Sequence, residues 1–275
     1  MNHLIADGLH QSNNTKIKEN MQDIKWHEIR FRASSWGNLM TEPQSKADKE
    51  AGKLSVTCIK ELIKIYNQEV FGRKKDITTK QMDKGKIAEL DSIALFSVVS
   101  GKIYFKNEEK LENEWFTGHV DIYVGDNIYN AQEVWDIKTR WELDSFMPKL
   151  IEDVDKSEEL QLQVYFDLTG SQYGGIANTL VDCPPEILME EKRRLLYSMN
   201  VISEDSPEYK KAAEELEKLL TFPDIPHEQR VIRQLVYRDD EKIEKMKQKV
   251  PVMREWLQQF HEKHINHNKT LVNER

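Results

Sequence analysis

Apolar residues recur at helical spacing in the first third of the chain. Ser55 is placed to cap a helix running to about Glu69, with Ile59, Leu62, Ile63 and Tyr66 on one face. A second helix is predicted from about Thr79 to Val99, through Ile87, Leu90, Ile93, Ala94 and Leu95, with Gly101 ending it. The period then shortens. Lys102 to Phe105 reads as a short strand, and Phe116 to Val124 as a longer one in which Val120, Ile122 and Val124 oppose Asp121 and Tyr123. Gly125-Asp126-Asn127 is a turn signal, and Glu133 to Thr139 forms the third strand. Ser157 to Leu168 returns to helical spacing and stops at Gly170. Gly175 to Val181 is a fourth strand. Pro184 opens a long helical stretch in which Ser206-Pro207-Glu208 supplies a cap with proline at the first helical position, leading to Leu220. After the breakers Pro223 and Pro226, Gln229 to Arg238 alternates as a strand. Asp239 or Asp240 then caps a last helix with Ile243, Met246, Val250, Met253, Trp256 and Phe260 on its apolar face. Helix, three strands, helix, strand is the order of an α/β sandwich.

Composition narrows the function classes. A chain of 275 residues with 39% hydrophobic content can build one large core. A formal net charge of −8 excludes a basic stripe over the whole molecule, so nucleic-acid binding has to be local and aided by divalent metal. Cys58 and Cys183 are far apart and lack CxxC spacing, which argues against a cysteine-built metal site and for free thiols in a reducing cytoplasm. No run of the sequence approaches a membrane span, and residues 1–22 read as a polar arm.

Candidate chemistry concentrates in the middle strands. On a strand, Asp136 and Lys138 point to one face while Trp135 and Ile137 point to the other. Asp121 precedes Asp136 by fifteen residues, and a turn between their strands brings the two carboxylates together. Two carboxylates and the backbone carbonyl of Ile137 make a hard oxygen site suited to Mg²⁺, or Mn²⁺ in its place. Lys138 is then placed to orient or deprotonate an attacking water. The acid-x-lysine tripeptide alone is weak, since it recurs at Asp23–Lys25, Glu108–Lys110, Glu190–Lys192, Glu208–Lys210 and Asp240–Lys242. Its bland reading is a salt bridge at a strand edge. What distinguishes Asp136–Lys138 is a strand context with Asp121 upstream and helices on either side. Glu89, in Gly85-Lys86-Ile87-Ala88-Glu89, and the pair Gln161 and Tyr165, four apart on one helix face, add to it. Their bland readings are an exposed helical acid and the polar face of an amphipathic helix.

Taken in order, these blocks resemble the lambda-exonuclease and RecB-like branch of the PD-(D/E)XK nucleases, the YqaJ-type viral recombinase domain. Trp26-His27-Glu28-Ile29-Arg30 with Ala33-Ser34-Ser35 resembles the family's entry block. Gly85 to Glu89 resembles its Gly-x-x-x-Glu helix, Asp121 with Asp136-Ile137-Lys138 its catalytic core, and Gln161 to Tyr165 its Gln-x-x-x-Tyr motif. The resemblance implies a restriction-endonuclease-like α/β core, a central mixed sheet flanked by helices, over residues 23–183. A helical extension with one strand over residues 184–275 would pack on it.

It further implies two Mg²⁺ ions held by Asp121, Asp136 and the Ile137 carbonyl, with Glu89 completing the site directly or through water. Lys138 would activate the water, and Gln161 and Tyr165 would brace the site or touch the DNA backbone. Arg30 with Ser34 or Ser35 would hold a terminal 5′-phosphate. Trp26 would wedge against the last base pair, and His119 would contact phosphate. The bland alternatives are core packing for Trp26 and His119 and a surface ion pair for Arg30. The implied activity is 5′-to-3′ digestion of linear duplex DNA in phage-type recombination, with a single-strand annealing partner and, in some members, a trimeric ring. Two departures stand out: aspartate at position 136 where many relatives have glutamate, and Gly118-His119-Val120 before Asp121 in place of a proline-containing approach. An endonuclease of the same fold and an inactive DNA-binding or assembly protein remain as alternatives. A Cas4-like protein would need a cysteine cluster that this chain lacks.

Overall fold

A computed structural model describes residues 24–74 and 79–273; the arm expected over residues 1–22 lies outside them. The chain divides into two compact units, one comprising Met1–Asp76, Glu112–Thr117 and Asp239–Arg275, the other Ile77–Leu111 and Gly118–Arg238. This partition cuts across the contiguous boundary expected near residue 183. Val231–Tyr237 pairs into the central sheet, and the last helix groups with the N-terminal segment.

In the first unit, helix α1 (Val56–Phe71) starts at Ser55, whose hydroxyl accepts the Cys58 N–H at 3.0 Å, and ends at Gly72 in a left-handed conformation. Strand β1 (Phe31–Arg32) pairs in parallel with a short strand at Phe116–Gly118, and Trp36 packs edge-on between Phe31 and Phe116. The final helix, Asp240–Asn273, buries Ile243, Met246, Val250, Met253 and Leu257. That series follows the predicted stripe until Leu257 takes the inward place, leaving Trp256 and Phe260 half-buried and stacked on each other.

The second unit is built on a mixed sheet. Numbering continues in chain order: β2 (Leu111–Glu112), β3 (Phe116–Gly118), β4 (Ile122–Val124), β5 (Glu133–Thr139), β6 (Tyr173–Thr179) and β7 (Val231–Tyr237). The sheet runs β4-β5-β6-β7, with β5 and β6 parallel and both outer pairs antiparallel. Helices α2 (Lys80–Ile87) and α3 (Glu89–Ser100) precede β2, and α4 (Lys156–Thr169) connects β5 to β6. Ile93 and Phe96 of α3 cluster with Trp135, Ile122 and Ala177 on one face. Helix α4 lies on the other face, over β5 and β6. It runs from the Asp155 cap to Gly170 at φ 78°, as its stop signal predicts. Gly174 and Gly175 let the sheet close. A Cβ at Gly174 would lie 1.9 Å from the Val134 carbonyl oxygen, and one at Gly175 2.2 Å from that of Gln234.

Three expectations are corrected. The single helix over 79–99 is two helices joined at Ala88, whose φ of −92° and ψ of 11° leave the helical range. Phe116–Val124 is two strands in different sheets, interrupted after Gly118. Lys102–Phe105 is irregular, because its neighbours bond to side chains and turns in place of a ladder: the Tyr104 N–H goes to the Ser97 hydroxyl and the Asn107 N–H to the Asp121 carbonyl.

Candidate active site

The site forms where β4 stops pairing with β5. The antiparallel register ends at Ile122–Trp135, and the next pairs would be Asp121–Asp136 and Val120–Ile137. In place of those pairs the Asp121 carboxylate swings in, and its Oδ2 accepts the Ile137 N–H at 2.7 Å. The interruption after Gly118 therefore has a consequence: it turns Asp121 from a strand residue into a side-chain cap on the middle of the Asp136-Ile137-Lys138 segment. Asn107 holds the turn from behind, donating from its side chain to the Val120 carbonyl at 2.9 Å and from its backbone to the Asp121 carbonyl at 2.8 Å.

Asp136 and Lys138 share the face opposite Trp135, as strand alternation requires. Asp136 is 2% exposed. Its Oδ1 accepts from Gln161 Nε2 at 2.8 Å, and the second hydrogen of that amide goes to the Tyr165 hydroxyl at 2.8 Å. Its Oδ2 lies 2.6 Å from Lys138 Nζ, but off line, so this buried oxygen has an ion-pair neighbour and no aligned hydrogen bond. Glu89, first residue of α3, pairs with Lys106 at 3.0 Å.

The electrostatics follow from burial. Burial and then the neighbouring Asp136 charge hold the Asp121 carboxyl well above the usual carboxylate range, against the pull of the Ile137 N–H and Lys138. Burial pulls the Lys138 ammonium down, but its contact with Asp136 outweighs that and leaves it above its ordinary value, so Lys138 is a cation at neutral pH. Burial likewise raises the Tyr165 phenol far up, keeping it neutral.

Among the described residues no three His, Cys, Asp or Glu side chains cluster closely enough to hold a metal ion between them. Glu89 is turned to Lys106. A metal fits a smaller donor set: Asp121, the unbonded Oδ2 of Asp136 and the Ile137 carbonyl. That oxygen is the observation in favour: it is buried, its one charge neighbour Lys138 makes no aligned hydrogen bond to it, and a buried carboxylate oxygen left without such bonds is costly.

The remaining sequence candidates have partners of their own or stand at the surface. Trp26 is 7% exposed and stacks on Tyr66 with ring centroids 5.7 Å apart, beside His261. That burial and stacking match the packing alternative for Trp26. Arg30 donates to the Asn113 carbonyl at 2.7 Å and pairs with Glu112 at 3.4 Å, the surface ion-pair reading. The Ser35 hydroxyl donates to Glu61 at 3.1 Å, Ser34 is exposed, and His119 is half-buried in the turn before Asp121. Lys106 and Asn107 were not legible as site residues, for no spacing rule links them to Asp121.

No protein-family model matches the chain, and no curated protein matches it either. Solved structures do. A phage-related exonuclease from Haemophilus somnus 129PT is 27% identical, with a TM-score of 0.67 over 86% of this chain and 97% of its own. The alkaline exonuclease LHK-Exo from Laribacter hongkongensis is 14% identical, with a TM-score of 0.58 over 90% of this chain and 98% of its own. The same enzyme in complex with dAMP aligns at 14% identity and a TM-score of 0.58, over 88% of this chain and 94% of its own. By fold, then, the chain is similar to these phage-related and alkaline exonucleases.

Proposed function

We propose that the protein is a Mg²⁺-dependent deoxyribonuclease, an exonuclease that digests linear duplex DNA from the 5′ end. The observation that carries this reading is the Asp121 carboxylate bonded to the Ile137 N–H, which brings a second acid against the short segment that holds Asp136, the Ile137 carbonyl and Lys138. The exonuclease identity of the structural neighbours supports the nuclease class. The dAMP held by one of them carries the 5′-phosphate that such a reaction would release.

Mg²⁺, bound by Asp121, Asp136 and the Ile137 carbonyl, would lower the pKa of water and offset phosphate charge. The chain's own groups do the rest. Gln161 fixes the Asp136 carboxylate by committing one amide hydrogen to it and the other to Tyr165. Lys138, beside Asp136, is placed to orient or activate the attacking water and to donate to the phosphate.

The resemblance alone extends the reading to phage-type recombination, a single-strand annealing partner, a ring of three subunits, and capture of a 5′-phosphate by Arg30, Ser34 and Ser35. The test is a nuclease assay with Mg²⁺ on linear duplex labelled at either end, beside a closed circle, for wild type and Asp136→Ala. Release of 5′ label with the circle spared, absent in the variant, is the expected result. Cutting of the circle would make it an endonuclease, and no cleavage with Mg²⁺ or Mn²⁺ would leave a non-catalytic DNA-binding protein.

A further inference from the structure

The catalytic face of β5 does not end at Lys138. The Arg140 N–H continues the ladder to the Thr179 carbonyl at 2.8 Å, so Arg140 takes the next place in the row Asp136, Lys138, Arg140. Successive members of that row are about 6.6 Å apart along the strand. Arg140 is held at its side chain and at its backbone. Its Nε donates to Asn178 Oδ1 at 2.7 Å, and its Nη2 bonds to the same oxygen. Its own carbonyl accepts from Lys84 Nζ at 3.0 Å, and the carbonyl of Trp141 from the same ammonium at 3.1 Å.

Both anchors are expensive to bury. Asn178 is fully buried and is satisfied through Gln234 at 2.9 Å, which in turn donates to the Glu152 carbonyl at 2.8 Å. Lys84 has no exposed surface, and burial lowers its pKa to about 8. A sheet that needed stability alone would place apolar side chains there, since buried amides and ammonium groups cost free energy even when paired. What the arrangement achieves is a guanidinium fixed in place beside Lys138.

That guanidinium is under-used. Among the described residues Nη1 has no protein acceptor, and the nearest acid, Glu158, stands 3.7 Å from Nη2, a charge neighbour beyond hydrogen-bond range. Glu158 lies three residues before Gln161 on α4, so the helix presents Glu158, Gln161 and Tyr165 along the row formed by β5. Lys138 feels the Glu158 charge as well.

We propose that Arg140 binds the DNA phosphate adjacent to the one that is cut, and that Glu158 is the resident counter-ion it exchanges for that phosphate. The planar fork suits a phosphate better than a single carboxylate oxygen at 3.7 Å. This inference rests on the nuclease reading above.

The experiment is a double-mutant cycle of Arg140→Gln and Glu158→Gln. Steady-state cleavage of linear duplex and equilibrium binding of a short duplex are measured over a salt series, with melting curves for each protein. Arg140→Gln is expected to raise KM and Kd about tenfold or more, with kcat little changed. It should also lower the slope of log Kd against log salt by about one. Glu158→Gln is expected to lower Kd in the wild-type background and to leave it unchanged in the Arg140→Gln background. Equal effects of Glu158→Gln in both backgrounds would overturn the exchange, and an unchanged salt slope in Arg140→Gln would overturn the phosphate contact. A fall in kcat with unaltered KM and a lowered melting temperature would assign Arg140 a structural role instead. If Arg140→Gln does not fold, Glu158→Gln alone decides, since unchanged DNA affinity in that variant removes the counter-ion. Failure of the wild type to bind or cut DNA would be seen first and would sink the nuclease reading itself.

Discussion

Gln161 has two amide hydrogens, and the site uses both, one on Asp136 and one on Tyr165. A hydrogen bond to a carboxylate is worth about 1.5–3 kcal/mol. Gln161→Leu, close in volume, is therefore expected to lower kcat about tenfold to a hundredfold while the protein still folds, measured by cleavage assay with a parallel thermal melt. An unchanged kcat would remove Gln161 from the catalytic group.

Asp121 makes the opposite kind of prediction. Its folded-state pKa is raised above the ordinary 3.8, so between those values the folded protein binds more protons than the unfolded chain. Stability is then greatest in acid and falls as pH rises through the raised pKa. In EDTA, wild type should melt higher near pH 5 than near pH 7.5, and Asp121→Asn should lose most of that difference while abolishing cleavage. A wild-type profile that rises towards neutral pH would contradict the burial argument for Asp121.

At the level of elements, β6 depends on two residues that have no side chain to spare. A Cβ at Gly175 would meet the Gln234 carbonyl oxygen at 2.2 Å and Trp135 at 2.9 Å, and backbone in a paired strand cannot move aside cheaply. Gly175→Ala should cost about 2 kcal/mol or more and lower the denaturant midpoint; a midpoint equal to wild type would mean that β6 and β7 are not paired as described. The sequence signals that succeeded are those set locally. Strand alternation at 133–139, the Ser55 and Ser206 caps and the Gly170 stop all act within a few residues, and each element starts or ends where its signal stands. The failures depend on partners distant in sequence. Phe116–Val124 alternates without interruption as a string, yet its halves pair with different sheets, because β1 competes for Phe116 and β5 for Ile122. Asp136 with Lys138, and Gln161 with Tyr165, were legible since spacing alone puts each pair on one face, whereas Asp121 was expected from a turn and reaches the segment through an unforeseen break in the strand. Arg140 follows from the same two-residue rule, and Glu158 from the three-residue helical one. Lys106 and Asn107 reach the site from an irregular segment that no periodicity describes.

For the whole molecule, the balance of 40 basic against 48 acidic residues leaves a chain that repels DNA on average. On the proposed function, attraction would come from cations on the site's own face, Lys138 and Arg140, and from metal at the two acids. Divalent metal should therefore act twice. Binding to the native state alone stabilises it by RT ln(1 + [L]/Kd), about 2.7 kcal/mol at a hundredfold excess over Kd. Mg²⁺ or Mn²⁺ should raise the melting temperature of wild type at neutral pH, where Asp121 without metal is a burden, and should do so far less in Asp136→Ala, which lacks half the carboxylates. The same ions should tighten duplex binding by Lys138→Ala, a variant expected not to cut, because neutralising Asp121 and Asp136 removes the repulsion the phosphate meets on entry. A metal shift of equal size in wild type and Asp136→Ala would place the ion elsewhere on this acidic surface. The two acids would then be an ion-pair network around Lys138, and the catalytic reading would fall together with the site that supports it.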